Sequence, residues 1–128
     1  MTLAERYIYV LGGYEPSVTD IERLDILGGN NQPAFWELIK VYSSSFENDI
    51  KYWFGSCPIS STEILVFGGK KDGASSNSSY IFDTQSKQIT KTGNLPSKDT
   101  FYQRTFLLKQ GKVYAYGYEN DNAYIFNI

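Results

Sequence analysis

The sequence predicts an all-β fold assembled from a repeated antiparallel unit, on three observations. An apolar, aromatic-containing strand running into glycine occurs three times: Tyr7-Ile8-Tyr9-Val10-Leu11-Gly12-Gly13, Ile64-Leu65-Val66-Phe67-Gly68-Gly69 and Val113-Tyr114-Ala115-Tyr116-Gly117-Tyr118. The first glycines stand 56 and 49 positions apart, a period near 50 that belongs to repeat architectures. Apolar and polar residues alternate at period two in short blocks between turn residues, with no convincing helical stretch.

Taken in order, the elements form ten expected strands. The first unit has strands at 7–11, 22–27 and 35–41, with Gly28-Gly29-Asn30-Asn31 as the turn inside the second pair. A polar stretch, 43–49, precedes the second unit, whose strands fall at 53–59, 64–67, 79–83 and 88–92. Residues 60–63 are its first turn, and 70–78 a polar loop containing Asp72-Gly73. After Gly93-Asn94-Leu95-Pro96 the third unit has strands at 104–108, 112–116 and 124–128, with Lys109-Gln110-Gly111 as a turn. Each glycine strand is followed by a strand ending in Leu24-Asp25, Phe82-Asp83 or Phe126-Asn127, at offsets of 13, 15 and 10 from the first glycine. The loop between absorbs the length difference, as loops on a regular scaffold do.

The 128 residues suffice for one domain with a real core, and 41% apolar content marks a globular chain. A net charge of −2 gives no broad attraction to nucleic acid or anionic membrane. No apolar run approaches the ~20 residues that span a bilayer, and residues 1–6 are too polar for a secretory signal. A single cysteine, Cys57, allows no intrachain disulfide, which favours a reducing, cytoplasmic setting. Histidine is absent, so Ser-His and Cys-His dyads and histidine-ligated metals are excluded.

The units resemble the kelch repeat, a four-stranded antiparallel blade of a β-propeller. The second carries the fullest match: Tyr52-Trp53-Phe54-Gly55-Ser56-Cys57, the Ile64 to Gly69 strand, and Tyr80-Ile81-Phe82-Asp83. The tryptophan typical of the family's last strand is present as Trp36, and Ile89 takes its place in the second unit. The third unit has Gly117-Tyr118 where a glycine doublet is expected. The resemblance implies one kelch-repeat region over 1–128, with units at about 1–42, 50–92 and 101–128. Three, four and three strands make about two and a half blades, an incomplete ring where propellers have four to eight. The end blades would then expose apolar faces, an association signal. The chain is accordingly expected to be a segment of a longer propeller, a truncated gene product, or a protomer that completes a ring with another chain. Gly12, Gly13, Gly68, Gly69 and Gly117, with Trp36, are structural markers of the repeat rather than phosphate-cradling residues.

Chemistry is sparse. The carboxylates, among them Asp20, Glu22, Glu47, Asp49, Asp99 and Asp121, read as solvated loop groups, and Asp25 and Asp83 as turn caps. Kelch-like oxidases ligate copper through tyrosine and histidine, which this segment cannot supply by itself. Cys57 reads as a small buried hydrophobe, and Lys70-Lys71 as a solvated pair. The Asn77-Ser78-Ser79 sequon reads as chance composition of a serine-rich loop. No cofactor, metal or catalytic residue is expected. The connections 14–20, 70–78 and 118–122, with 43–49 and 96–101 between blades, share one face in the resemblance and combine Tyr, Asn, Ser and charges, a composition suited to binding. The expected function is a non-catalytic protein–protein interaction module or scaffold segment. It would contact a protein partner through Tyr14, Glu15, Lys70, Lys71, Asp72, Asn77, Tyr118, Glu119 and Asn120, with no nucleic-acid or membrane partner. The alternative is part of a propeller enzyme or small-ligand binder, such as a carbohydrate-binding protein, with polar groups such as Tyr52, Ser56 or Arg104 facing a central channel.

Overall fold

The computed structural model describes residues 2–4, 6–12, 21–27, 34–41, 46, 49, 52–101, 107–118 and 121–128, with 2–4 and 107 by their backbone alone. These residues form an all-β fold. A first antiparallel sheet runs in the order β1 (Thr2–Ala4), β2 (Tyr7–Leu11), β3 (Ile21–Asp25), β4 (Trp36–Ile39). A second contains β5 (Gly55–Pro58), β6 (Glu63–Phe67), β9 (Ser78–Asp83) and β10 (Gln88–Asn94), again neighbours in chain order. Between β6 and β9 stands a separate hairpin, β7 (Lys70–Lys71) with β8 (Ala74–Ser75). A third sheet comprises β11 (Leu107–Lys109), β12 (Lys112–Tyr116) and β13 (Ala123–Asn127).

Several expectations are corrected. The first unit does not open at its second strand: β1 pairs with β2, Thr2 opposite Tyr9, so the described sheets hold four, four and three strands. The 70–78 loop is not wholly irregular, because Asp72 and Gly73 both adopt positive φ, 51° and 84°, the backbone of a two-residue hairpin turn. The strand expected from Trp53 begins at Gly55, since Trp53 has φ 58° and cannot extend a ladder. Phe46 and Asp49 have helical backbone within the stretch read as polar, and Phe46 is buried. Its neighbours Phe54 and Tyr80, with ring centroids 6.3 and 5.2 Å away, explain why one aromatic residue anchors a polar segment. The Gly28 to Asn31 turn and Arg104 lie outside the described residues.

The middle sheet is buried on both faces. On one, Ile64, Val66, Tyr80, Phe82 and Ile89 pack against Tyr9, Leu11, Ile21 and Ile39 of the first sheet. On the other, Cys57, Leu65 and Phe67 pack against Val113, Ala115 and Tyr124 of the third. Burial on two sides is why β6 reads as an unbroken apolar run, whereas β12 alternates with only Val113 and Ala115 inside. Among the first strands, β5 lies against β1 on one side and β11 on the other. The sheets therefore stack face to face and converge along their opening strands.

Candidate interaction surface

The end of the molecule where β6 and β12 run into glycine is organised by the linker from Leu95 to Phe101. Its backbone is held by Leu95 N to Asn77 O, 2.5 Å, Asp99 N to Ser76 O, 3.2 Å, and Phe101 N to Trp53 O, 2.9 Å. Gly69 N donates to Asp99 O at 2.9 Å, and Tyr118 N to Thr100 O at 2.7 Å. The repeat glycines make room for this crossing. Gly68 sits at φ 64°, and a Cβ there would overlap the Phe101 ring and lie 2.8 Å from the Asp99 carbonyl oxygen. At Gly117 the requirement is purely spatial, because a Cβ would overlap the Asp99 carboxylate.

Onto this base the hairpin is fastened by Tyr52. Lys70 N donates to Tyr52 O at 2.8 Å, Tyr52 N to Lys70 O at 3.2 Å, and Gly73 N to the Tyr52 hydroxyl at 3.0 Å. Trp53 meets the Tyr52 ring edge-on at 5.2 Å, and the Lys70 ammonium lies 5.3 Å from its ring centre. A tryptophan in the left-handed region costs about 1–2 kcal/mol, so its aim is imposed by the surrounding backbone. The linker thus joins three features at one end: the Lys70, Lys71 and Asp72 hairpin, the Tyr52–Trp53 pair, and Tyr118, which is 55% exposed.

Of the residues expected from sequence, Lys70, Lys71, Asp72 and Tyr118 belong to this surface. Asn77 stands beside the linker, with Nδ2 donating to Leu95 O at 3.3 Å. Tyr14, Glu15, Glu119, Asn120 and Gly13 lie outside the described residues, and Trp36 stands elsewhere, on β4. Sequence reasoning absorbed Trp53 into a strand. The available signal was the Tyr52-Trp53 pair just before Gly55, with Lys70-Lys71 just after the glycine doublet.

Two carboxylates depart from the solvated-loop expectation. Asp99 is fully buried, with Oδ2 accepting from the Tyr124 hydroxyl at 2.9 Å and Oδ1 from Thr100 N at 2.8 Å. Ser97 Oγ lies 2.7 Å from the same hydroxyl, so it donates to Tyr124 while Tyr124 donates to Asp99. Asp49 Oδ2 accepts from Tyr80 at 2.5 Å, Ser78 Oγ at 2.9 Å and Lys91 Nζ at 2.9 Å. Chiefly the Tyr80 bond, then that of Lys91, holds its carboxyl below the usual carboxylate range. Asp83 caps its turn as expected, accepting from Gln85 N and Ser86 N at 2.8 and 3.0 Å. Asp25 accepts from Leu27 N at 3.1 Å and pairs with Arg6.

Cys57 is buried, and burial pushes its thiol pKa up, so it is poorly disposed to act as a nucleophile. A groove of about 410 Å³ beside β13 is lined by Ile59, Leu65, Ile81 and Phe126, and no ionisable side chain lines it. Among the described residues no cluster of three His, Cys, Asp or Glu side chains could hold a metal ion, and no helix is long and apolar enough to cross a membrane. No protein-family model matches the chain, and no curated protein matches it in sequence.

Proposed function

We propose that this chain is a cytoplasmic, non-catalytic protein–protein interaction module whose sheets are kelch-type blades of a β-propeller. The carrying observation is the aromatic and basic surface at the glycine end, where Trp53, the Lys70–Asp72 hairpin and Tyr118 are tied to rigid strand ends through one linker. Aromatic anchors beside adaptable polar groups are the composition of contact residues that dominate protein interfaces. The blade reading is supported by three antiparallel meanders in chain order, stacked face to face and converging on β1, β5 and β11. It is supported too by the register. Phe82 stands between Ile64 and Ile89 as Leu24 stands between Ile8 and Trp36, which puts Trp36 and Ile89 at one repeat position.

The test is affinity capture with the full chain and with a Lys71→Ala/Tyr118→Ala variant, compared by quantitative mass spectrometry. At least one protein held by the parent chain is expected to fall at least tenfold with the variant. Identical capture profiles would refute the reading.

A further inference from the structure

Among the described residues two sheet faces are left open, one apolar around Glu22 and the other aromatic and aliphatic with Lys109, Lys112 and Asn127 along one edge. On the first sheet, Trp36 and Leu38 are 50% and 52% exposed and share the outer face with Ile8, Val10, Glu22 and Leu24. On the third sheet, Tyr114, Tyr116 and Ile125 are 40%, 43% and 58% exposed on the side away from the core. Scattered exposed apolar residues are ordinary, but contiguous rows on a pleated face are an association signal.

The repeat identifies what fits each face. In the middle sheet the rows Ile64–Phe82–Ile89 and Val66–Tyr80–Lys91 seat on the first sheet. The outer rows of the first sheet, Ile8–Leu24–Trp36 and Val10–Glu22–Leu38, occupy those same positions. Likewise Tyr114, Tyr116 and Ile125 occupy the positions of Leu65, Phe67 and Ile81, the side of the middle sheet that receives the third. One open face is therefore the donor half of the seam already present twice within the chain, and the other is its acceptor half. The charges are complementary as well: Glu22 places a carboxylate on one face, and Lys109 and Lys112 stand on the other.

We propose that a second copy of this chain covers both faces, the third sheet of each seating on the first sheet of its partner. Such a contact is head-to-tail, and head-to-tail contacts form rings when the rotation closes. The three described meanders of two copies make six, within the four to eight of propellers, whereas those of one copy or three fall outside that range. This rests on the blade reading above but not on the binding surface, since the Lys71→Ala/Tyr118→Ala variant leaves both outer faces intact.

The test is sedimentation equilibrium on the 128-residue chain, with melting followed from about 1 to 100 μM. A mass of twice 14.6 kDa, and a melting temperature that rises with concentration, are expected. A folded chain that stays at 14.6 kDa with a concentration-independent melt overturns the proposal, as does a mass that grows without limit. Trp36→Glu/Leu38→Glu and Tyr114→Glu/Ile125→Glu, each altering one face, should each be monomeric alone. Mixed, they should form a 1:1 complex through the single remaining seam. Either variant pairing with itself, or no complex on mixing folded variants, overturns head-to-tail closure.

Discussion

Tyr80 donates its hydroxyl to Asp49 at the first seam, and Tyr124 donates to Asp99 at the second, each from the same place in the third strand of its sheet. The surroundings differ. The Asp49 side chain is 33% exposed and bonded to Lys91, whose own side chain is 43% exposed. Asp99 is fully buried between two glycine-ended strands. One latch is a charge-assisted bond in a wet setting, while the other is a desolvated network whose every partner matters. A repeated contact can keep its geometry while burial decides how much stability rides on it.

The sharpest way to break this comparison is at Gly117, where an alanine Cβ would overlap the buried carboxylate and force it from its partners. Gly117→Ala is expected to cost about 3 kcal/mol, a large share of the stability of a marginal domain. Gly73→Ala, with no atom within 4 Å of its Cβ, should cost only the backbone strain of its φ of 84°, about 1 kcal/mol. Urea unfolding of both variants checks the pair, and similar losses would mean that the crossing is not tight.

Next are the aspartates themselves. Asp99→Ala leaves Thr100 N and the Tyr124 hydroxyl short of a buried acceptor and should cost about 3 kcal/mol, whereas Asp49→Ala should cost about 1 kcal/mol after solvent screening. Because the folded pKa of Asp49 is depressed, its contribution is present above the unfolded carboxylate value near about 4 and is lost as pH falls through the lower folded value. Asp49→Asn should therefore flatten the acid limb of stability below pH about 4. A denaturation series between pH 2 and 7 would show it, and an unchanged slope would contradict the assignment.

The smallest effect runs the other way. Thr100 Oγ1 is buried without a hydrogen-bond partner among the described residues, so Thr100→Val should be neutral or stabilise by up to about 1 kcal/mol. A clear loss of melting temperature would reveal a partner for that hydroxyl.

Much of the fold was legible because it is written in local periodicity. The bounds of β2 and β12 follow directly from alternation into glycine, whereas Trp36 and Ile89, 11 and 6 residues after the preceding Asp, were matched only through the family resemblance. What escaped depends on contacts distant in sequence. Asp99 looks like any loop aspartate until Tyr124 and Gly117 close around it, and Phe46 is an isolated aromatic until Tyr80 packs on it. The strand β1 was missed because Thr2-Leu3-Ala4 is too short to show a period. Lys70, Lys71, Asp72 and Tyr118 of the candidate surface were visible as loop composition. Trp53 was hidden by its own β propensity, which the turn before Gly55 overrides.

The latches also impose a schedule on the nascent chain. Asp49 precedes Tyr80 by 31 residues and Asp99 precedes Tyr124 by 25, so each carboxylate gains its tyrosine only once the third strand of the sheet after it has been made. At about 5–20 residues per second, the ribosome exposes each linker for a few seconds before its tyrosine arrives. The two latches thereby become available in order from the N-terminus, and the delay at each is the interval in which its carboxylate waits for a partner.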